Sequence, residues 1–130
     1  MTDPGLELQG AIVAALKAAE VCSARVYDRV PAAVQFPYVT IGEVQVIDDE
    51  AECIEAVEVF VTIHTWSRAV GKPEASAINA QIRAALHNAN LPLSTWRLLE
   101  IRQRDARTFT DGDGITTHGI SVFRALIDPA

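Results

Sequence analysis

No stretch of this 130-residue sequence approaches the roughly 20 continuous apolar residues that a bilayer span requires, so a membrane-spanning helix is excluded. The opening MTDPGLELQG also lacks the basic region and apolar core of a secretory signal, and a cytoplasmic origin is the expectation. Cysteine is scarce. Cys22 and Cys53 show no CxxC spacing and no histidine at ligand distance, which leaves two free, buried thiols as the expected state in a reducing compartment. The signatures of several chemistries are missing outright: there is no GxSxG for a serine nucleophile, and neither GxGxxG nor GxxxxGK for a phosphate-binding loop. Histidines His64, His87 and His118 form no HxH or HxxxH pair, so a metal centre would require the segments bearing His64 and His118 to be neighbouring strands. Basic residues are absent from one long interval. Between Arg29 and Arg68 there is no lysine or arginine, while Glu43, Asp48, Asp49, Glu50, Glu52, Glu55 and Glu58 all lie there.

What is present describes an ordinary folded chain. With 49% hydrophobic and 22% charged residues, residues 1–130 are expected to form a single domain around one core. The net charge of −6 argues against a surface that holds nucleic acid through its phosphates, which needs clustered lysine and arginine. An acidic surface does suit DNA that must slide past without sticking, because like charge suppresses phosphate contacts.

Asp3 and Pro4 offer an N-cap and a first-turn proline, and Leu8, Ile12, Val13, Leu16 and Ala19 follow at helical spacing, predicting a helix over residues 4–20. A short strand is expected at residues 24–27, then a turn-rich connection between Pro31 and Pro37. YVTIGEVQVI reads as a strand whose alternation shifts at Gly42, the mark of a bulge. The acidic run DDEAE then leads into VEVFVTIHTWS. There Val57, Val59, Val61 and Ile63 line one face, and Glu58, Phe60, Thr62, His64 and Trp66 the other. A second helix carries the stripe Ala75, Ile78, Ile82, Ala85 and Leu86. Two long extended segments, WRLLEIRQRDARTFT and ITTHGISVFRALI, are joined by DGDG as a hairpin. DGDG is no calcium loop of the EF-hand type, since the twelfth position, which should be glutamate, is Val122. The order α-β-β-β-α-β-β predicts an α+β fold, a mainly antiparallel sheet with two helices packed on it and a projecting long hairpin.

Arg97, Arg102, Arg104 and Arg107 crowd one segment, opposite in sign to the acidic interval. Two arrangements satisfy this segregation: the segments pair within one sheet, or an acidic edge of one subunit meets a basic edge of the next. The second implies a head-to-tail ring.

The blocks RVYDRVP, FPYVTIG, VEVFVTIHTWSRAVGKPEASAINAQIRAAL and DGDGITTHGISVFRALI resemble the tail terminator (tail completion) proteins of long-tailed phages and phage-derived gene transfer agents. The likeness runs over residues 6–127, with the VP...PYVxIG block at residues 30–42 among its most specific parts. It implies an α+β structural virion component with no enzymatic activity, catalytic group, cofactor or metal. Such a subunit would form a sixfold ring at the neck–tail junction, assembled in the bacterial cytoplasm. The ring would cap the head-proximal end of the tail tube, stop its polymerisation and join it to the head–neck stopper protein. Its channel would pass DNA without specific binding. Two surfaces are the candidate contacts with like subunits or partners. One is the acidic loop with Asp48, Asp49, Glu50 and Glu52; the other is the hairpin with Arg102, Arg104, Arg107, Phe109, Asp111 and Asp113. An alternative from another class is a small cytosolic ligand-binding domain or enzyme that uses the Phe60, His64 and Trp66 face as a pocket wall.

Overall fold

The computed structural model of the chain describes residues 2–49 and 56–130. Helix α1 spans Pro4–Ala18, and Asp3 caps it as its position predicts, the Asp3 Oδ2 accepting from the Leu6 amide at 2.9 Å. Its buried stripe is Leu8, Ile12 and Leu16; Ala19, expected to extend it, is exposed beyond the helix end. The next residues differ from expectation. A tight turn at Val21–Ala24 precedes strand β1 (Val26–Tyr27), and Glu20, Cys22, Ser23 and Ala24 all have positive φ. Nothing in their side chains signals this left-handed run, because L-residues disfavour it. Cys22 is a free, buried thiol as expected, and burial pushes its pKa up to about 11. Cys53 lies outside the described residues.

Strands β2 (Tyr38–Asp49) and β3 (Ala56–Ser67) form an antiparallel pair whose register shifts between Ile41 and Val44, which places the bulge at Gly42 as predicted. Helix α2 covers Pro73–Leu86, and β4 (Trp96–Thr110) and β5 (Thr117–Pro129) make the long hairpin. At its turn Gly114 has φ +75°, and Asp113 Oδ1 accepts from the amides of Ile115 (2.9 Å) and Thr116 (2.8 Å). The β5 arm is buried as far back as Thr116 and Thr117, so the part that stands out is residues 104–110 of β4 and the turn itself.

These strands form one sheet in the order β1-β2-β3-β5-β4, parallel only between β1 and β2. Both helices pack on one face, where Val59, Val61, Ile63, Phe123, Ala125 and Ile127 meet Leu8, Ile12, Ile78, Ile82 and Leu86. The alternation read from VEVFVTIHTWS therefore holds. Its aliphatic side is the core, and Phe60, His64 and Trp66 lie on the side away from the helices.

One carboxylate ties α1 to the chain ahead of β4. Glu7 accepts from the amides of Ser94 (3.0 Å), Thr95 (2.9 Å) and Trp96 (3.3 Å), and from the Thr95 hydroxyl. Burial raises its pKa, but these hydrogen bonds outweigh that and lower it from 4.5 to about 2. A depressed folded-state pKa contributes stability above the unfolded value, and that stability is lost as pH falls through the folded one. Melting curves are thus expected to show stability draining away between about pH 4.5 and 2, with Glu7→Gln less stable at neutral pH and flatter across that window. A variant with an unchanged acid limb would show that this carboxylate does not link the two elements.

Candidate functional site

The face of the sheet opposite the helices is bare of helices among the described residues, and the pleat sends side chains from four strands onto it. At the end nearest the hairpin turn these are aromatic. Trp66 on β3 stacks on His118 of β5 with ring centroids 4.0 Å apart and planes at 14°. Tyr38 on β2 and Phe109 on β4 extend the ladder at 6.3 Å from Trp66 and 4.9 Å from His118. Trp66 Nε1 donates to Thr40 Oγ1 at 3.1 Å, so its polar edge is satisfied while its ring packs.

His64 and His118 are indeed on neighbouring strands, and His64 Nδ1 lies 2.7 Å from His118 Nε2. That is a hydrogen bond between two imidazoles, one donating and the other accepting. Two nitrogens on one tetrahedral zinc would stand about 3.3 Å apart. No third histidine, cysteine or carboxylate joins the pair among the described residues. Burial lowers the pKa of His64; burial and then the neighbouring His64 lower that of His118. Both shifts favour the neutral imidazoles. Gly42 makes room for the pair. A Cβ there would stand 2.5 Å from His64 Nε2. Ser67 points to the opposite, core side, where its hydroxyl donates to Glu74 at 2.7 Å, so it cannot serve as a nucleophile for His64.

Toward the other end the face becomes ionic. Arg124 on β5 pairs with Glu58 of β3 and with Glu100 of β4 at 3.2 Å, and Arg102 meets Glu100 at 3.3 Å. This corrects one of the two arrangements open to the segregated charges: β5 stands between the acidic strand and the arginine-rich β4, so those segments do not pair directly. The pairing was invisible in the sequence because the bridging Arg124 lies outside both charge runs.

The candidate contact residues fall into two groups that the fold keeps apart. Asp48 and Asp49 end β2; Arg102, Arg104, Arg107 and Phe109 lie on β4, the opposite margin of the sheet, and Asp111 and Asp113 sit in the turn beyond it. Glu50 and Glu52 lie outside the described residues. Arg107 pairs with Asp105 of its own strand at 3.4 Å, and Arg104, a bulged residue, makes no ion pair among the described residues. What the sequence did not supply is the ladder itself, since it left open whether β3 and β5 are neighbours, the adjacency that stacks Trp66 on His118 and joins the two halves. The described cavities, of about 260 to 300 Å³, take no wall from Phe60, His64 or Trp66.

The helices are confined to one side of the sheet, the other face is bare of helices among the described residues, and the acidic and arginine-bearing segments lie toward opposite margins. The chain belongs to the tail completion protein gp17 family, whose pattern it matches over residues 10–128. It is also similar to a solved chain of the virion of a native gene transfer agent (GTA) particle, at 26% identity and a TM-score of 0.87, covering 99% of this chain and 100% of that one. No curated protein matches the chain by sequence. The resemblance drawn from its sequence blocks is thereby confirmed, and the chain is a structural tail component.

Proposed function

We propose that the chain is a non-enzymatic virion subunit that forms a sixfold ring on the head-proximal end of a tail tube, stops the tube's polymerisation and joins it to the head–neck stopper. The observation that carries this reading is the end-to-end likeness to a chain of an assembled gene transfer agent virion, with no appreciable segment left over on either side. Two further features support it. The net charge of −6 suits the wall of a conduit through which DNA passes unbound, and oppositely charged margins on one chain suit head-to-tail closure. In this reading the acidic end of β2 with the loop after it, and the β4 hairpin with its turn, meet a like subunit, the tube protein or the stopper.

Deletion of the gene in a particle-producing strain is expected to yield heads without attached tails and tubes of uncontrolled length, seen by electron microscopy. Joined particles with tails of normal length would overturn the terminator reading.

A further inference from the structure

The two margins of the sheet are not equivalent. On one side β1 pairs only with Val39 and Thr40, leaving residues 42–48 of β2 with no strand beside them among the described residues. This open stretch carries Glu43 and Asp48, has no basic residue, and exposes Val46 and Ile47. On the other side the edge of β4 is partly sealed: Ile101 O accepts from the Asn88 amide at 2.8 Å, and the Gln103 amide donates to His87 Nδ1 at 3.0 Å. Beyond that seal, residues 104–110 are largely exposed and carry Arg104, Arg107 and Phe109. Their one backbone contact from α2 is Arg107 O, which accepts from Asn79 Nδ2 at 3.2 Å. An exposed, partly apolar edge strand is a template for pairing with another chain.

We propose that residues 42–48 of β2 in one copy pair, antiparallel, with residues 104–110 of β4 in the next, joining the sheets of a ring head to tail. This rests on the ring reading above and names its subunit contact. Three observations carry it. The stretches are opposite in net charge, Glu43 and Asp48 against Arg104 and Arg107 offset by Asp105, and both are largely exposed. Within one sheet β4 runs opposite to β2, so a neighbour rotated about an axis along the strands presents β4 antiparallel to β2. Centring one stretch on the other sets Asp48 opposite Arg104 and puts Glu43 diagonal to Arg107, both within cross-strand reach.

The seal on β4 also decides the register. Following the pairs Gln45–Phe60, Phe60–Arg124 and Arg124–Arg102 across one sheet, Gln45 is level with Arg102. Pairing at that level would place β2 against Ile101 and Gln103, whose backbone groups are already bonded. Sliding the neighbour from Arg102 to Arg107 clears both of those groups and leaves the Arg107 carbonyl, which already accepts from Asn79, as the acceptor in the stretch that would have to be shared; the strands then tilt relative to the ring axis, as strands of closed sheets do.

Charge exchange between the two stretches tests this. In a deletion strain supplied with variants, Asp48→Arg alone and Arg104→Glu alone are each expected to cut tailed particles about tenfold or more, because like charges then face one another at every subunit boundary. The double variant is expected to recover to within about threefold of the original chain. Both side chains are exposed, so the purified variants should melt with the original chain; one that does not is replaced by Asp48→Asn or Arg104→Gln. Normal tails from both single variants overturn the proposed contact, and so does a double variant no better than the worse single. Neither result touches the ring reading, which falls only if the deletion strain itself makes normal tailed particles.

Discussion

Phe123→Ala is expected to destabilise the protein by about 3–5 kcal/mol, a large part of the roughly 5–15 kcal/mol by which domains are ordinarily stable. Phe123 is the largest side chain with no exposed surface, and it sits on an inner strand, on β5 between Val61 of β3 and Gln103 of β4. Neighbouring strands hold the backbone on both sides, so the space left by the ring cannot close by collapse, and a cavity term adds to the lost transfer energy. Urea unfolding should show the midpoint falling with little change in slope. Phe123→Leu, which retains most of the volume, should cost much less. A loss of under about 1 kcal/mol for the alanine variant would mean that this position is not the keystone of the core.

The second large effect is expected at Gly42, whose substitution by alanine should cost about 1–3 kcal/mol, as overpacking a close contact does. An added Cβ would stand 2.5 Å from His64 Nε2, 2.6 Å from its Cδ2 and 3.2 Å from the Thr62 carbonyl oxygen. A free histidine would swing aside, but this ring is held by its hydrogen bond to His118 and by its stack on Trp66, at 5.9 Å between centroids. The clash therefore propagates into the ladder. In the background of His64→Ala the same Gly42→Ala change should cost at least about 1 kcal/mol less, since the obstructing ring is gone. Strictly additive losses would show that Gly42 serves the bulge alone and not the histidine.

Much of the fold was legible from local pattern. Alternation in residues 57–67 assigned each side chain to its face, and Asp3–Pro4 and the stripe Leu8, Ile12, Leu16 placed α1. Gly42 marked the bulge, and DGDG the hairpin turn. Each of these signals lies within a few residues of the structure it reports. The left-handed residues Glu20, Cys22, Ser23 and Ala24 were not legible, because no glycine marks them.

The aromatic face was legible only in halves. His64 and Trp66 could be assigned to the side away from the core, but His118, and Phe109 behind it, reach them only because β5 is inserted between β3 and β4. The same insertion gives Arg124 two carboxylates and keeps the acidic and basic runs on opposite margins. By itself, the sequence determined the element order, the buried side of each element, the charge segregation and the family likeness, all properties of neighbouring residues or of pattern along the chain. Only the tertiary structure decided that β5 lies between β3 and β4, hence which side chains form the ladder and which edges stay open. Strand order is a choice among pairings far apart in sequence, settled when whole faces are buried together, and no local spacing encodes it.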